Sequence, residues 1–278
     1  MTTQTLQAVG VTATIATVTP EMARLWIDTC MRNRKITKAH VDRLAADMRD
    51  GRWVLNGEPV QFDREGRLIN GQHRLSAIVL SGVTVQMLVV TGVEPRAQDT
   101  IDIGAARSIG NILQLHGYPS AIELGALASA DYRYSNAPGI VWANTNMPSK
   151  ATMLVNVERN SEQYQSALRA AKRASENINA HRIPYALLHV LAHRSGHDLA
   201  WGGFEDRLFS GVGLEEGDAR LTFRNHLIRR PRSHGSWSQQ HSLAIGIKAF
   251  NAYLQGKPIK LLRFYRDELP MPRISQET

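Results

Sequence analysis

The chain has 278 residues, of which 43% are hydrophobic and 21% charged, and this composition is typical of globular proteins with a sizeable core. That length suffices for one large domain or two ordinary ones, and the formal net charge of +8 favours a polyanionic partner. The single cysteine, Cys30, excludes an intramolecular disulfide and a cysteine-rich zinc site. We find no signal-peptide pattern and no run of about 20 apolar residues, so we expect a cytoplasmic protein without a membrane segment.

The first 51 residues predict a strand and two helices. Residues 1–19 are rich in Thr, Val and Ala, which favours a β-strand or a partly ordered arm. Residues 20–31 predict a short helix. Its inward face is expected to carry three apolar side chains, Met22, Leu25 and Trp26. A second helix is predicted to begin after the N-cap Thr37 and to end at Gly51.

The next forty residues predict the remaining strands of a small sheet. The predicted order is a strand at 59–62, a tight turn at 63–66, a strand at 67–69, a helix from residue 72 to Gly82 and a strand at 83–90. The last strand is an almost continuous run of β-branched and apolar residues, which favours a β-strand.

Beyond residue 110 the pattern becomes helical. Helices are predicted at 108–115, 120–134 and 236–254, two or three more within 149–195, and a short strand or extended tail at 260–264. The sequence therefore predicts an α+β fold, with a small mixed-sheet domain over residues 1–110 followed by a mainly α-helical domain over residues 111–278.

One segment combines a strand end, a glycine turn and a helix start. Gly71 follows the strand directly, and the helix begins with Gln72, His73 and Arg74. The first backbone N–H groups of a helix have no intrahelical partner and carry partial positive charge, which makes this end an anion site. An arginine adds a bidentate grip on phosphate, and a histidine adds a hydrogen bond or acid–base chemistry. Taken alone, the pattern fits equally well a turn glycine followed by two solvated side chains.

Three segments between Asn33 and Val90 resemble the ParB/sulfiredoxin superfamily. Residues 33–37, followed by the helix that ends at Gly51, look like the family's first box, and residues 59–62 match its proline-then-strand segment. Residues 71–77 are similar to the Gly-x-x-Arg-x-x-Ala box of ParB proteins and to the Gly-Cys-His-Arg box of sulfiredoxin. The resemblance implies a ParB/sulfiredoxin-like fold for the amino-terminal domain.

The resemblance also implies nucleotide binding. ParB members bind CTP, whereas sulfiredoxins and the free-serine kinases of this fold bind ATP, so the expected ligand is ATP or CTP with Mg²⁺. The residues that it assigns to phosphate are Gly71, Gln72, His73 and Arg74. Arg34, in the first box, is expected to contact phosphate or base.

The chain departs from the family in two places that bear on catalysis. Sulfiredoxin requires a cysteine where this chain has Gln72, and a carboxamide is no nucleophile, so sulfinic-acid reduction is rejected. The serine kinases use a glutamate near the first box. Of three nearby carboxylates, Glu58, Asp47 and Asp63, we favour Glu58 as the base because it directly precedes the predicted strand, with His73 as the second acid–base group.

Arginines outside the turn suggest contact with DNA. Arg107 follows a glycine turn that also carries Asp102, and this pair fits either a phosphate contact with Mg²⁺ or an ion pair at the domain junction. The cluster of Arg229, Arg230 and Arg232 fits a DNA backbone and equally fits a solvated loop.

Histidines recur in the helical half, and His189 and His193 are one helical turn apart. No His-Glu-x-x-His pattern is present, so we interpret them as incidental on an apolar helix and predict no metal site.

The function predicted from these features is a nucleotide-binding protein of the ParB/sulfiredoxin type that acts in DNA transactions of phages or mobile elements. It would hydrolyse ATP or CTP or transfer the γ-phosphoryl group. The alternatives are a non-catalytic DNA-binding module that senses a nucleotide, and a ParB-like nuclease, which the lack of a carboxylate cluster disfavours. No helix-turn-helix is evident, which argues against chromosome partitioning, and a homodimer is left open.

Overall fold

The computed structural model describes residues 10–29, 36–100, 107–136, 141–142, 147–199, 203–229, 236–265 and 268–276, with side chains at all of these except 98–100 and 236–237. The chain divides into two units. The amino-terminal unit comprises residues 1–106 and 148–152, and the helical unit comprises residues 107–147 and 153–278. The boundary at 106 lies close to the expected one at 110, but the return of residues 148–152 was not anticipated. A small mixed sheet and ten α-helices in the described ranges confirm the predicted α+β class.

The amino-terminal unit is built on a four-stranded mixed sheet. Its elements are β1 (Thr12–Val18), α1 (Pro20–Asp28), α2 (Lys38–Arg49), β2 (Val60–Asp63), β3 (Leu68–Asn70), α3 (Gln72–Ser81), β4 (Val85–Val93) and a 3-10 helix (Pro95–Thr100). The strand order is β1-β4-β2-β3. β4 pairs antiparallel with β1 and parallel with β2, while β2 and β3 form an antiparallel pair. This register places the β3–α3 turn beside the start of β2.

The core of this unit contains apolar residues from the sheet and from α1, α2 and α3. On α1, Trp26 packs edge-to-face on Phe62 of β2 with ring centroids 5.3 Å apart, and Ala23 is fully buried. The prediction that Leu25 faces inward is wrong, because its side chain is 67% exposed. At about 100° per residue, the buried stripe of α1 runs from Met22 through Trp26 and Ala23 to Ile27, and Leu25 lies about 60° beyond its edge.

In the ranges that the structure describes, seven helices follow residue 107. They are α4 (Ile109–Leu115), α5 (Ala121–Asn136), α6 (Lys150–Ile178), α7 (Arg182–Arg194), α8 (Phe204–Ser210), α9 (Ala219–Arg229) and α10 (Ser236–Leu254). α6 and α7 account for the two or three helices expected within 149–195, whereas α8 and α9 were not predicted. Residues 257–265 form no strand, so the strand alternative for 260–264 is wrong. In the described part of the chain no helix has the length and apolarity needed to cross a bilayer.

α4 and α5 approach each other through glycines. A Cβ added at Gly125 would lie 2.8 Å from the backbone N of Gly110, and a Cβ at Gly110 would lie 2.9 Å from Cα of Ile122. Backbone atoms cannot move aside as a flexible side chain can, so these two helices pack at this distance only with glycine at both positions.

Gly125→Ala is therefore expected to destabilise the protein by about 1–3 kcal/mol through overpacking. This expected loss of stability is opposite to the effect in an unobstructed helix, where replacing glycine with alanine stabilises by about 0.5–1 kcal/mol. Chemical denaturation followed by circular dichroism measures the difference. Gly246→Ala is the control, since its Cβ would meet mainly the flexible end of Leu188, at 3.0 Å, and should cost less. A Gly125→Ala variant as stable as the parent would contradict the packing argument.

Candidate functional site

The β3–α3 turn depends on Gly71 for two reasons. Its φ of +106° lies in the region that side-chain-bearing residues avoid, and it serves as the N-cap of α3. A Cβ at this position would meet Cγ2 and Cα of Val60 at 3.0 and 3.1 Å. The sequence interpretation was that the missing side chain leaves room for phosphate. The structure fills that space with β2, so an anion at this end of α3 would meet the backbone amides of its first turn instead.

A hydrogen bond joins the amino ends of α2 and α3. The backbone N–H of Thr37 donates to Nε2 of His73 over 3.1 Å. Thr37 is the N-cap of α2, as predicted, but its hydroxyl makes no capping hydrogen bond. Because Nε2 accepts, the ring proton of neutral His73 is assigned to Nδ1. Two helix amino ends, each with partial positive charge, are thus brought together.

His40, one turn into α2, adds a second imidazole to this place. Its ring lies edge-to-face on His73 with centroids 5.1 Å apart, and Arg43 Nη2 lies 3.4 Å from its Nδ1. The residue as a whole is exposed, yet desolvation of its ring is the largest cause lowering its pKa. The charges of His73, Arg43 and Arg74 lower the pKa further, and the carboxylate of Glu58 opposes them. These five side chains therefore form one electrostatically coupled cluster.

Arg74 holds the chain that leads into β2. Its Nη1 donates to the carbonyl oxygen of Glu58 over 2.5 Å, and its Nη2 donates to that of Pro59 over 2.9 Å. The side chain is only 12% exposed. Its predicted grip on phosphate stays a prediction, and these contacts assign it a structural role that the sequence did not reveal.

The three candidate carboxylates differ in their surroundings. Asp47 accepts from Arg52 Nε at 3.1 Å, and Asp63 accepts from the Arg67 backbone N–H at 2.8 Å and from its Nε at 2.6 Å. Burial raises the pKa of Asp63, but the hydrogen bonds and the charge of Arg67 outweigh it, so the pKa is lowered. Asp63 therefore holds a local turn, whereas Asp47 also accepts from Ser149 Oγ at 2.6 Å and so ties α2 to a distant part of the same unit. The Glu58 carboxylate is 74% exposed, with Oε2 3.8 Å from Nη1 of Arg74, and it is the one of the three that solvent or a ligand reaches.

Only some of the residues predicted to contact DNA belong to the part of the chain that the structure describes. Arg107 and Arg229 are exposed, and both belong to the helical unit. Arg229 ends α9, so this part of the basic segment is helical and not a loop. Arg107 precedes the N-cap Ser108, which forms a capping box with Asn111 as part of α4. Four of the candidate site residues named from the sequence, Arg34, Asp102, Arg230 and Arg232, lie outside the described residues.

The sequence pattern did not identify Thr37 as a hydrogen-bond donor to the site, nor His40 and Arg43 as members of it. The available signal was the helix start at Thr37, since the first two turns of that helix carry both basic residues. Within the described ranges, no group of three or more His, Cys, Asp or Glu residues could hold a metal ion. The chain matches no family model, no curated protein and no solved structure.

Proposed function

We propose that the amino-terminal unit binds the phosphates of ATP or CTP, with Mg²⁺, at the amino ends of α2 and α3, and that the protein uses this nucleotide in DNA transactions. The observation that carries the proposal is the hydrogen bond from the Thr37 N–H to His73 Nε2, because it unites two helix amino ends. The resemblance of residues 33–77 to ParB and sulfiredoxin boxes supports the choice of a nucleoside triphosphate.

The electrostatics of the cluster suit a triphosphate. Each helix amino end contributes roughly half a positive charge, and Arg43, His40 and His73 stand around the junction. Backbone N–H groups of the first turn of α3 would donate to phosphate oxygens. Mg²⁺ usually keeps several water ligands and binds substrate phosphates directly, so the nucleotide and water would hold most of its coordination here.

Phosphoryl transfer needs mostly positioning and neutralisation of charge. In this proposal Glu58 orients a water molecule or an acceptor hydroxyl and receives its proton. Arg74 positions Glu58 through the backbone carbonyls of residues 58 and 59. The net charge of +8 and the exposed Arg107 and Arg229 support DNA as the partner.

A thermal-shift panel of ATP, CTP, GTP and UTP with Mg²⁺, with and without DNA, tests the proposal. A ligand present at about 100 times its Kd stabilises the native state by about 2.7 kcal/mol, so ATP or CTP should raise Tm. Arg43→Ala should weaken nucleotide binding about tenfold or more, a loss of about 1.4 kcal/mol. Arg49→Ala is the matched control, because it removes the same charge from the carboxyl end of the same helix.

The outcomes separate binding from turnover. Glu58→Gln should retain the thermal shift and lose phosphate release, since it removes the base but leaves the cluster of positive charge. If no nucleotide raises Tm, or if Arg49→Ala weakens binding as much as Arg43→Ala, the proposed site is wrong. If Glu58→Gln keeps full turnover, the base has been misassigned.

A further inference from the structure

A cleft of about 450 Å³ opens on the helical unit between α6 and α7. One face of α6, from Glu162 to Arg173, forms one wall, His189 and His193 of α7 form the other, and residues 197–199 complete the lining. The volume lies in the range of small-molecule sites. The entire lining belongs to a single unit, so the cleft is independent of the nucleotide site proposed above.

Behind this lining, the buried carboxylate of Glu205 on α8 fixes the ring of His189. Oε1 of Glu205 lies 2.7 Å from Nε2 of His189 and accepts from the hydroxyl of Tyr185 at 2.9 Å, and Oε2 lies 3.6 Å from Arg173 Nη2. Burial raises the pKa of Glu205, but the His189 and Tyr185 hydrogen bonds and the Arg173 charge outweigh it, so the pKa is lowered. The carboxylate is therefore ionised, and its charge is taken up by these three partners.

This arrangement leaves the other ring nitrogen of His189 for a ligand. Nδ1 makes no hydrogen bond to any part of the chain that the structure describes. A carboxylate that holds one nitrogen of an imidazole fixes the ring's orientation and determines which atom is left to donate or accept. His189 is thus a positioned side chain, and the sequence-based interpretation of it as incidental does not account for this contact.

Two arginines of α6 line the end of the cleft where His189 lies. Arg169 and Arg173 are one turn apart and both line the cleft. Arg173 stays 55% exposed despite its contact with Glu205, and exposed Arg169 has no ion-pair partner among the described residues. Two guanidinium forks donate to phosphate oxygens, while Nδ1 of the neutral His189 ring accepts from a protonated phosphate oxygen and donates only once the ring is protonated.

The other end of the α6 wall is polar but not basic. Glu162 is seven residues from Arg169, about 10 Å along the helix axis. Beside it, the side-chain nitrogen of Gln163 is buried and lacks a hydrogen-bond partner in the described structure. A buried polar group without a partner calls for a ligand or water. The lining contains no Phe, Tyr or Trp on which a nucleobase would stack, so hydroxyl groups are the matching chemistry.

We propose that this cleft binds a phosphate monoester of a sugar or polyol. The phosphate lies among Arg169, Arg173 and His189, and the hydroxyl groups extend toward Glu162 and Gln163. The site is a second ligand site, distinct in place and in chemistry from the one for nucleoside triphosphates.

Histidine-ring NMR on the full chain tests this site directly. At constant ionic strength and pH, inorganic phosphate should give saturable shifts of the His189 and His193 rings, and glycerol phosphate should give the same shifts at lower concentration. Acetate and glycerol at equal concentrations should give none. Absence of saturable shifts with both phosphate probes, or equal shifts with acetate, would overturn the proposal.

Variants link the shifts to the cleft. Arg169→Gln should weaken glycerol phosphate binding about tenfold, which corresponds to about 1.4 kcal/mol, while Tm stays unchanged because this side chain is exposed and forms no ion pair. Lys172→Gln removes an equal charge from a neighbouring position of α6 outside the lining and should leave affinity unchanged. If both substitutions weakened binding equally, the effect would be a general electrostatic attraction by the basic surface, and the proposal of a specific site in the cleft would be refuted. Arg43→Ala should leave the His189 shifts intact, which separates this site from the nucleotide site.

Discussion

Asp131→Ala is expected to lower the free energy of unfolding by about 3 kcal/mol. Asp131 of α5 is 2% exposed and accepts two hydrogen bonds from Arg194 of α7, at 2.6 and 2.8 Å. It also accepts from the hydroxyl of fully buried Tyr164 of α6 at 2.5 Å. Removal of the carboxylate would leave that hydroxyl without its acceptor. The side chain of Arg194 is 36% exposed, so water can solvate its freed charge in part, which keeps the loss below the largest values for buried ion pairs.

Chemical denaturation monitored by circular dichroism, with hydrogen exchange of α5, α6 and α7, measures this effect. Asp131→Asn keeps an acceptor oxygen but loses the charge, so an intermediate loss is expected. Asp206→Ala changes an exposed aspartate of the same unit and should cost no more than about 1 kcal/mol, mainly through the α8 dipole. Equal losses for Asp131→Ala and Asp206→Ala would show that the three-helix junction contributes no special stability.

Gly71→Ala is expected to have a comparable effect, about 3 kcal/mol, and also to disrupt the candidate nucleotide site. Two costs combine: a backbone conformation that alanine resists, of order 1–3 kcal/mol, and displacement of Val60, of order 1–3 kcal/mol. The distances of 3.0 and 3.1 Å to Val60 include one to its backbone, so β2 itself must shift. Because Arg74 binds the residues that lead into β2, that shift would also move Glu58.

Gly82→Ala separates the two costs. Gly82 caps the carboxyl end of the same helix with φ of +71°, and nothing lies within 4 Å of an added Cβ. Gly82→Ala should therefore lower the free energy of unfolding only by the cost of the strained backbone conformation, about 1–2 kcal/mol. Any rise in Tm that a nucleotide causes should be preserved. If Gly71→Ala is no worse than Gly82→Ala in denaturation, the contact with Val60 is not limiting.

Part of the candidate site could be predicted because its signal is local. A strand, a glycine and a helix follow one another between Leu68 and Ser81, and adjacent residues alone dictate that turn. The hydrogen bond between Thr37 and His73 spans 36 positions, and neither hydrophobic periodicity nor capping preference contains such a pairing. For the same reason the sequence indicated Arg74 as a ligand group but not its hydrogen bonds to residues 58 and 59.

In the helical half, too, local features could be predicted from the sequence and contacts between distant residues could not. Helical spacing and capping residues predicted α4, α5 and α10 closely. α8 is as short as α4 but begins after Gly203, without a Ser or Thr cap that would mark its start. Glu205 lies on that helix, and its partner His189 is 16 positions away. Sequence reasoning therefore treated the histidine as incidental, because the group that orients it was not assigned to any element.

By itself the sequence determined the α+β class, the helix starts at Thr37 and Ser108 and the glycine turn at Gly71, since backbone sterics, capping and periodicity act between near neighbours. The tertiary structure alone decided the strand order, the meeting of α2 with α3, and the partners of Asp131 and Glu205. These features depend on which surfaces pack together although they lie far apart in the sequence. A buried charged side chain needs partners, and here the partners belong to other helices, so residues near it in the sequence do not identify them.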